Sequence, residues 1–134
     1  MYLVDTSVVS EARLGGGDVA GWIRSVRPEN LFLSVLTLGE ITRAIVRRRE
    51  TDRAAASKLA EWLQILRRDH SAQILPVTDE IAIEWGRIAA SRPNGEVNGL
   101  IAATAIVHDL IVVTRNVEEF SDTRVSALNP WSSE

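Results

Sequence analysis

The chain has 134 residues and is 46% hydrophobic and 25% charged, a composition typical of one globular domain with a buried core. Its net charge of −3 argues against a broadly basic nucleic-acid-binding protein, and the absence of cysteine excludes disulfides and thiolate metal sites. No apolar stretch approaches the ~20 residues that span a bilayer, and Asp5 interrupts the only early apolar run. We therefore expect one cytoplasmic domain over residues 1–134, without membrane contact.

Strands and helices are predicted to alternate along the chain. Short apolar runs indicate strands, and apolar residues at helical spacing indicate helices. In chain order the prediction is strand 2–5, helix 6–13, helix 18–26, strand 31–34, helix 37–49, helix 52–68, strand 73–77, a helix from 78 or 79, loop 92–97, helix 99–109, strand 111–113 and a fifth strand near 124–128. This order predicts an α/β fold with helices on both faces of a central, mainly parallel sheet of four to five short strands.

The expected helix caps matter for one candidate site residue. Thr6 or Ser7 is expected to cap the first helix and Asp18 the second. Thr37 is expected to cap the third, and Glu40 follows it at the spacing of a capping box. This spacing gives Glu40 a purely structural alternative role.

Polar residues follow three of the predicted strands. Asp5 ends the first strand, Glu40 lies just beyond the second, and Thr114 and Asn116 follow strand 111–113. Because ligands bind at the carboxyl ends of parallel strands, we expect these side chains to share one pocket. Their oxygen atoms suit a hard cation such as Mg²⁺, so the pattern predicts a site for a divalent cation and a phosphodiester. Either Glu118 or Glu119 is a candidate for a further carboxylate.

Each of these residues also has a structural alternative. Asp5 could cap the helix that follows it, and Glu40 could form a surface ion pair with Arg43. Thr114 and Asn116 are residues that commonly form turns. Taken singly the signals are weak, and their shared position at strand ends is what makes the set informative.

Arginine supplies fourteen of the fifteen basic residues, and five arginines form a cluster: Arg43, Arg47, Arg48, Arg49 and Arg53. The planar guanidinium group can donate two parallel hydrogen bonds to a phosphate. The alternative is a solvated helix end, where positive charge also interacts favourably with the helix dipole.

Four motifs, in this order and spacing, resemble those of PIN-domain ribonucleases, specifically VapC-type toxins of bacterial toxin–antitoxin pairs: residues 4–11 (VDTSVVSE), 34–41 (SVLTLGEI), 98–105 (NGLIAATA) and 113–116 (VTRN). The resemblance spans essentially the whole chain. It implies a three-layer α/β/α PIN fold and cleavage of RNA that depends on Mg²⁺ or Mn²⁺. It also implies a VapB-like antitoxin encoded beside the toxin, and a homodimer or a hetero-oligomer with the antitoxin.

The resemblance also assigns the catalytic and metal-binding positions. Asp5 and Glu40 match the first two metal-binding acids, and Asn98 matches the third, which is normally aspartate. Asn116 matches the fourth, more variable catalytic position, and Glu119 lies where many relatives carry an acid that binds metal. Supporting polar positions that line the site are matched by Thr6, Ser7 and Thr114.

Asn98 is the departure from the family pattern. Asparagine keeps the shape of aspartate and loses its charge, so we expect weaker metal binding and strongly reduced turnover. The substitution is either natural or introduced so that a toxic enzyme could be expressed, and the otherwise intact motif favours the second explanation. A competing hypothesis is an inactive PIN domain that binds RNA or a partner protein. A phospho-acceptor signalling domain is disfavoured because Lys58, the only lysine, lies in a predicted helix.

For the antitoxin, we expect a segment that packs across the helices containing Glu40 and the apolar stripe of Trp62. Such a helix-in-groove arrangement would place a basic side chain in the acidic pocket.

Overall fold

Five parallel strands form one sheet in the order β3-β2-β1-β4-β5. The computed structural model describes residues 1–91 and 96–131. The strands are β1 Tyr2–Val4, β2 Leu31–Ser34, β3 Ile74–Leu75, β4 Ile111–Val113 and β5 Ala127–Leu128. Because every pair is parallel, all five carboxyl ends lie at the same edge of the sheet. The predicted α/β class and strand number are confirmed.

Helices cover both faces of this sheet. Within the described ranges they are α1 Thr6–Arg13, α2 Gly17–Ser25, α3 Val35–Arg49, α4 Arg53–Asp69, α5 Asp79–Ala89 and α6 Glu96–His108, with 3₁₀ turns at Pro28–Asn30, Ser71–Gln73 and Val117–Phe120. None of these helices is both long and apolar enough to cross a membrane.

The core has two layers, one on each face of the sheet. Side chains alternate between the faces along each strand, so that Val4 and Val113 pack on one side and Leu3 and Val112 on the other. The first layer joins the sheet to α1–α4, and the second joins it to α6 and the Val117–Phe120 turn. The predicted three-layer arrangement is confirmed.

The strand order reverses direction at β1. The chain builds β2 and β3 on one side of β1 and then returns to place β4 and β5 on the other. In α/β sheets a ligand crevice forms at such a switch point, beyond the carboxyl ends of the strands. Asp5 directly follows β1 and therefore stands at the centre of this crevice.

The N-cap of α3 differs from the prediction. The helix begins at Val35, and the hydroxyl of Ser34 accepts a hydrogen bond of 3.0 Å from the backbone N–H of Leu36. Thr37 lies inside the first turn, so the predicted capping box of Thr37 and Glu40 is wrong. The strand passes directly into the helix, which leaves Ser34 as the last extended residue and hence the cap.

Two other predicted caps are also wrong. Asp5 occupies the N-cap position of α1, in place of Thr6 or Ser7, but its side chain makes no capping hydrogen bond. Gly16, and not Asp18, precedes α2. The next two helices have side-chain caps: Asp52 accepts from the N–H of Ala55 at the start of α4, and Thr78 accepts from that of Ile81 at the start of α5, which was predicted to begin at 78 or 79.

Some element boundaries are shifted. The strand predicted at 73–77 shrinks to Ile74–Leu75, because Gln73 turns its side chain to the carbonyls of Pro28 and Leu31, and Pro76 has no N–H. Helix α6 begins at Glu96, earlier than predicted, and ends before Asp109, whose φ of 55° is left-handed. Of the loop predicted at 92–97, residues 92–95 lie outside the described residues.

Ser34→Ala is expected to lower the free energy of unfolding by about 1 kcal/mol, because it removes the only side-chain cap seen for α3 in the described structure. Urea denaturation measures the loss. Ser10→Ala, on the exposed surface of α1, is the matched control and should change stability by less than ~0.5 kcal/mol. Equal stability of the two variants would contradict the assignment of the cap.

Candidate active site

Asp5 is a buried carboxylate fixed by two hydroxyl groups. Only 9% of the residue is exposed. Its Oδ2 accepts hydrogen bonds from the Thr114 hydroxyl at 2.8 Å and from the Ser7 hydroxyl at 3.3 Å. The Ser7 oxygen in turn accepts from the backbone N–H of Arg115 at 3.3 Å. Residues after β4 therefore orient the Asp5 carboxylate, which follows β1. Both hydroxyl groups donate to Oδ2, the same one of its two oxygens.

Glu40 is brought to Asp5 by the residue next to Asp5. The Thr6 hydroxyl donates to Glu40 Oε1 at 2.6 Å and lies 3.2 Å from the hydroxyl of Thr37. Glu40 comes from the second turn of α3, 34 residues away in sequence. The alternative role of Glu40, an ion pair with Arg43, is not seen among the described residues, where the Glu40 carboxylate accepts from Thr6 instead.

Thr114 and Asn116 lie where the sequence places them, directly after β4. The fully buried Thr114 hydroxyl donates to Asp5 and accepts from the backbone N–H of Asn116 at 3.1 Å. The carbonyl of Asn116 accepts from the N–H of Glu119, which starts the Val117–Phe120 turn. Asn116 thus has a turn-forming backbone role, and its side chain makes no hydrogen bond to the described residues.

Asn98 and Glu119 are joined to each other by a side-chain hydrogen bond. The amide nitrogen of Asn98 donates to Glu119 Oε2. Asn98 belongs to the first turn of α6, and a tight reversal at Asp109 and Leu110 sends the chain from this helix into β4. Helix α6 therefore runs antiparallel to β4, and its first turn lies at the carboxyl edge of the sheet. Glu118, the other candidate acid, lies beside Glu119 in the Val117–Phe120 turn and is exposed.

The donor set fits a hard divalent cation held by few protein ligands. Mg²⁺ is commonly bound through one or two carboxylates and completes its shell with water and substrate phosphate oxygens. Asp5 and Glu40 supply two such carboxylates, and Asp5 Oδ1 accepts no hydrogen bond from the described residues. Within the described ranges no three acidic or histidine side chains converge as a metal-binding group.

Two structural contacts near Asn98 were not predicted from the sequence. Gly99 lets the indole of Trp85 lie against the first turn of α6, since a Cβ built at Gly99 would stand 3.0 Å from Trp85 Cδ1. Glu84 is buried and accepts a 2.7 Å hydrogen bond from the guanidinium of Arg124, which ties α5 to the segment after the Val117–Phe120 turn. Neither pair has a local sequence signal, because its members are far apart in the chain.

A match to the PIN domain family over residues 2–125 agrees with this topology. The chain belongs to the PIN domain family. The resemblance drawn from the four motifs is therefore confirmed at the level of the family.

Individual relatives cover this PIN domain almost end to end. Toxin FitB of Neisseria gonorrhoeae is 29% identical over 140 residues, which covers 98% of this chain and 99% of FitB. VapC ribonuclease Y4jK of Sinorhizobium fredii is 26% identical, with 98% of both chains covered. The crystal structure of FitAcB from Neisseria gonorrhoeae superposes with a TM-score of 0.86 at 29% identity, covering 98% of this chain and 99% of that chain.

Asn98→Asp is expected to make the stability of this PIN domain depend on divalent cations. The new carboxylate faces Glu119, and two like charges in contact destabilise the fold when no cation lies between them. In EDTA at neutral pH we expect the Tm to fall by about 4 °C, which corresponds to about 1 kcal/mol in a domain of this size. Millimolar Mg²⁺ should reverse the loss.

The matched control is Asn30→Asp, which changes the net charge equally in the Pro28–Asn30 turn. Thermal unfolding of both variants, with Mg²⁺ and with EDTA, makes the comparison. Equal responses to Mg²⁺ would show that position 98 does not face a cation site.

Proposed function

We propose that this PIN domain, residues 1–134, is a cytoplasmic, metal-dependent endoribonuclease toxin, impaired by Asn98 and neutralised by a cognate VapB-like antitoxin. The observation that carries the proposal is the hydrogen bond from Thr6 to Glu40, which links the Glu40 carboxylate to the residue that follows Asp5 at the switch point of the sheet. Relatives along the full length are named a toxin and a VapC ribonuclease, which supports the assignment.

Mg²⁺ or Mn²⁺ would be held by Asp5 and Glu40, and position 98 and Glu119 would supply further ligands. When bound, the cation activates water for attack on a phosphodiester and stabilises charge on the leaving oxygen. The residues of the chain supply placement. Thr114 and Ser7 orient the Asp5 carboxylate, and Thr6 orients that of Glu40. These fixed hydroxyls reduce the reorganisation that binding requires.

Asn98 weakens this arrangement because it removes one negative charge. At ~4 Å a unit charge interacts with each unit of cation charge by about 4 kcal/mol at an effective dielectric constant of 20. Relief of repulsion among the remaining acids and competition from solvent reduce the net loss. The amide of Asn98 also donates to Glu119 and so engages one oxygen of that carboxylate.

The hydrogen bond between Asn98 and Glu119 favours a second candidate function. An amide that satisfies Glu119 without any cation is suited to a PIN domain that binds RNA or antitoxin but does not cleave. The two functions differ in what Asn98→Asp does. A nuclease regains cleavage, whereas a binding module remains inactive.

Cleavage of a structured RNA pool tests the nuclease. We expect Asn98→Asp to cleave in Mg²⁺ or Mn²⁺, to stop in EDTA, and to exceed the unmodified chain by about 100-fold or more. The double variant Asp5→Asn/Asn98→Asp is the control and should be inactive, with an unchanged circular dichroism spectrum. Cleavage by the double variant would refute the role of Asp5. Failure of Asn98→Asp on a broad RNA set would support the binding module instead.

The antitoxin is proposed to occupy an apolar cavity of about 200 Å³ beside Trp62. Trp62 and Leu66 of α4 line it together with residues from α1, α2, β1 and β2, among them Val9, Ala12, Ile23 and Leu33. Glu40 does not line this cavity, so the course across the helices of Glu40 and Trp62 stays a prediction, of which the cavity supports the part at the Trp62 helix. The guanidinium of Arg13, which also lines the cavity, lies 5.9 Å from the Trp62 ring centre, so α1 and α4 meet at this cavity.

We expect Trp62→Ala/Leu66→Ala to weaken the complex with the small protein encoded beside this chain by at least ~10-fold, because both side chains line the cavity. Calorimetric titration measures the Kd. Ile65→Ala, which truncates an exposed apolar residue of the same helix outside the cavity, is the control and should leave it unchanged. An unaltered Kd for the double variant would place the antitoxin elsewhere.

A further inference from the structure

Helix α3 carries an exposed row of cations that the proposed chemistry does not use. Arg43, Arg47 and Arg48 are exposed and line a shallow groove of about 380 Å³, the α3 arginine groove, together with Glu40, Ala44 and Thr51. Arg43 and Arg47 are four residues apart and so lie on one face of the helix. The groove is thus a concentrated positive surface on a chain whose net charge is −3.

Among the described residues these three guanidinium groups have no carboxylate partner. Across residues 1–91 and 96–131, Arg43, Arg47 and Arg48 form neither an ion pair nor a side-chain hydrogen bond, whereas Arg27, Arg68, Arg87 and Arg124 all form ion pairs. Glu40 lies one turn from Arg43, but its carboxylate accepts from Thr6. The fold therefore leaves the cations of this groove available for an external anion.

The helix dipole explains only part of the row. Arg47 and Arg48 belong to the last turn of α3, where positive charge stabilises the helix end. Arg43 is the ninth of fifteen residues in the helix and lies outside the last turn, where the dipole effect has faded. Stabilisation of the helix end therefore does not explain the positive charge of Arg43.

The groove is continuous with the candidate active site through Glu40. This residue lines the groove and also lies in the crevice beside Asp5. A nucleic-acid strand with one phosphodiester in the crevice can pass over Glu40 and extend along α3. Guanidinium groups bind phosphate oxygens through paired hydrogen bonds, and positively charged grooves follow the backbone of single strands without reading its sequence.

We propose that the α3 arginine groove binds the phosphates of single-stranded RNA on one side of the scissile bond. This inference rests on the proposed nuclease function, because it names where that substrate lies. An acidic protein segment is the competing ligand. RNA is favoured because three arginines line the groove and Glu40 joins it to the proposed phosphodiester site, while the proposed antitoxin cavity lies between α4 and the helices α1 and α2.

Salt-dependent RNA binding tests the groove. The chain with Asn98 and its Asn98→Asp variant, both in EDTA, are titrated into a fluorescein-labelled single-stranded RNA, and anisotropy gives the Kd. We expect Arg43→Gln/Arg47→Gln/Arg48→Gln to raise the Kd at least ~10-fold at low salt. The slope of log K against log salt should fall in magnitude by about 2, since each lost phosphate contact removes roughly 0.7.

The control variant is Arg24→Gln/Arg27→Gln/Arg87→Gln, which removes the same charge from α2, from the residue before the Pro28–Asn30 turn and from α5. We expect it to raise the Kd less than ~3-fold and to leave the slope nearly unchanged. Circular dichroism checks that both triple variants are folded. If both triple variants changed the Kd and the slope equally, the proposed RNA binding by the groove would be wrong, because the affinity would then depend only on net charge. Equal competition by polyglutamate and unlabelled RNA would overturn the choice of RNA.

The outcome is separable from that of the proposed function. If only the groove variant loses RNA affinity and Asn98→Asp does not cleave, RNA binding by the groove is supported and the nuclease function is rejected. Metal-dependent cleavage by Asn98→Asp, with no specific loss in the groove variant, would retain the nuclease and reject the groove.

Discussion

The hydrogen bond between Thr6 and Glu40 is the contact on which the candidate site depends. It joins the residue after Asp5 to the second turn of α3, and so couples the ends of β1 and β2. The bond from Thr114 to Asp5 couples the end of β4 in the same way. A parallel sheet places these strand ends at one edge, but only the hydroxyls fix which way each carboxylate points.

The strand positions were predictable because short apolar runs between polar caps leave few alternatives. The N-cap of α3 was not. Ser34 and Thr37 are both good capping residues, and the choice between them is settled by the strand running directly into the helix. Glu40 was predictable as a candidate from its position just beyond the second strand, but its spacing from Thr37 argued equally for a structural role, and the family resemblance favoured the site. The contact of Trp85 with Gly99 depends on helix packing that no local pattern encodes.

Asn98 shows how a single amide changes the electrostatics of the site. With asparagine at position 98, a neutral amide donates a hydrogen bond to the Glu119 carboxylate, and this contact needs no cation. With aspartate the same geometry would hold two negative charges in contact, which a bound cation stabilises. The charge that would strengthen metal binding would therefore also destabilise the unliganded fold. This opposition is a reason for metal affinity and stability to change together at position 98.

The acids of the candidate site and the arginines of the groove occupy different parts of the surface. Carboxylates that hold a cation repel the phosphates of a substrate, so an acidic crevice needs positive charge nearby to retain RNA. Arginines inside the crevice would pair with Asp5 or Glu40 and displace the cation. Helix α3 avoids this conflict because Glu40 near its start turns toward Thr6, while Arg43 and Arg47 follow on later turns without carboxylate partners among the described residues. One helix can thus present a metal ligand and a phosphate-binding row in succession.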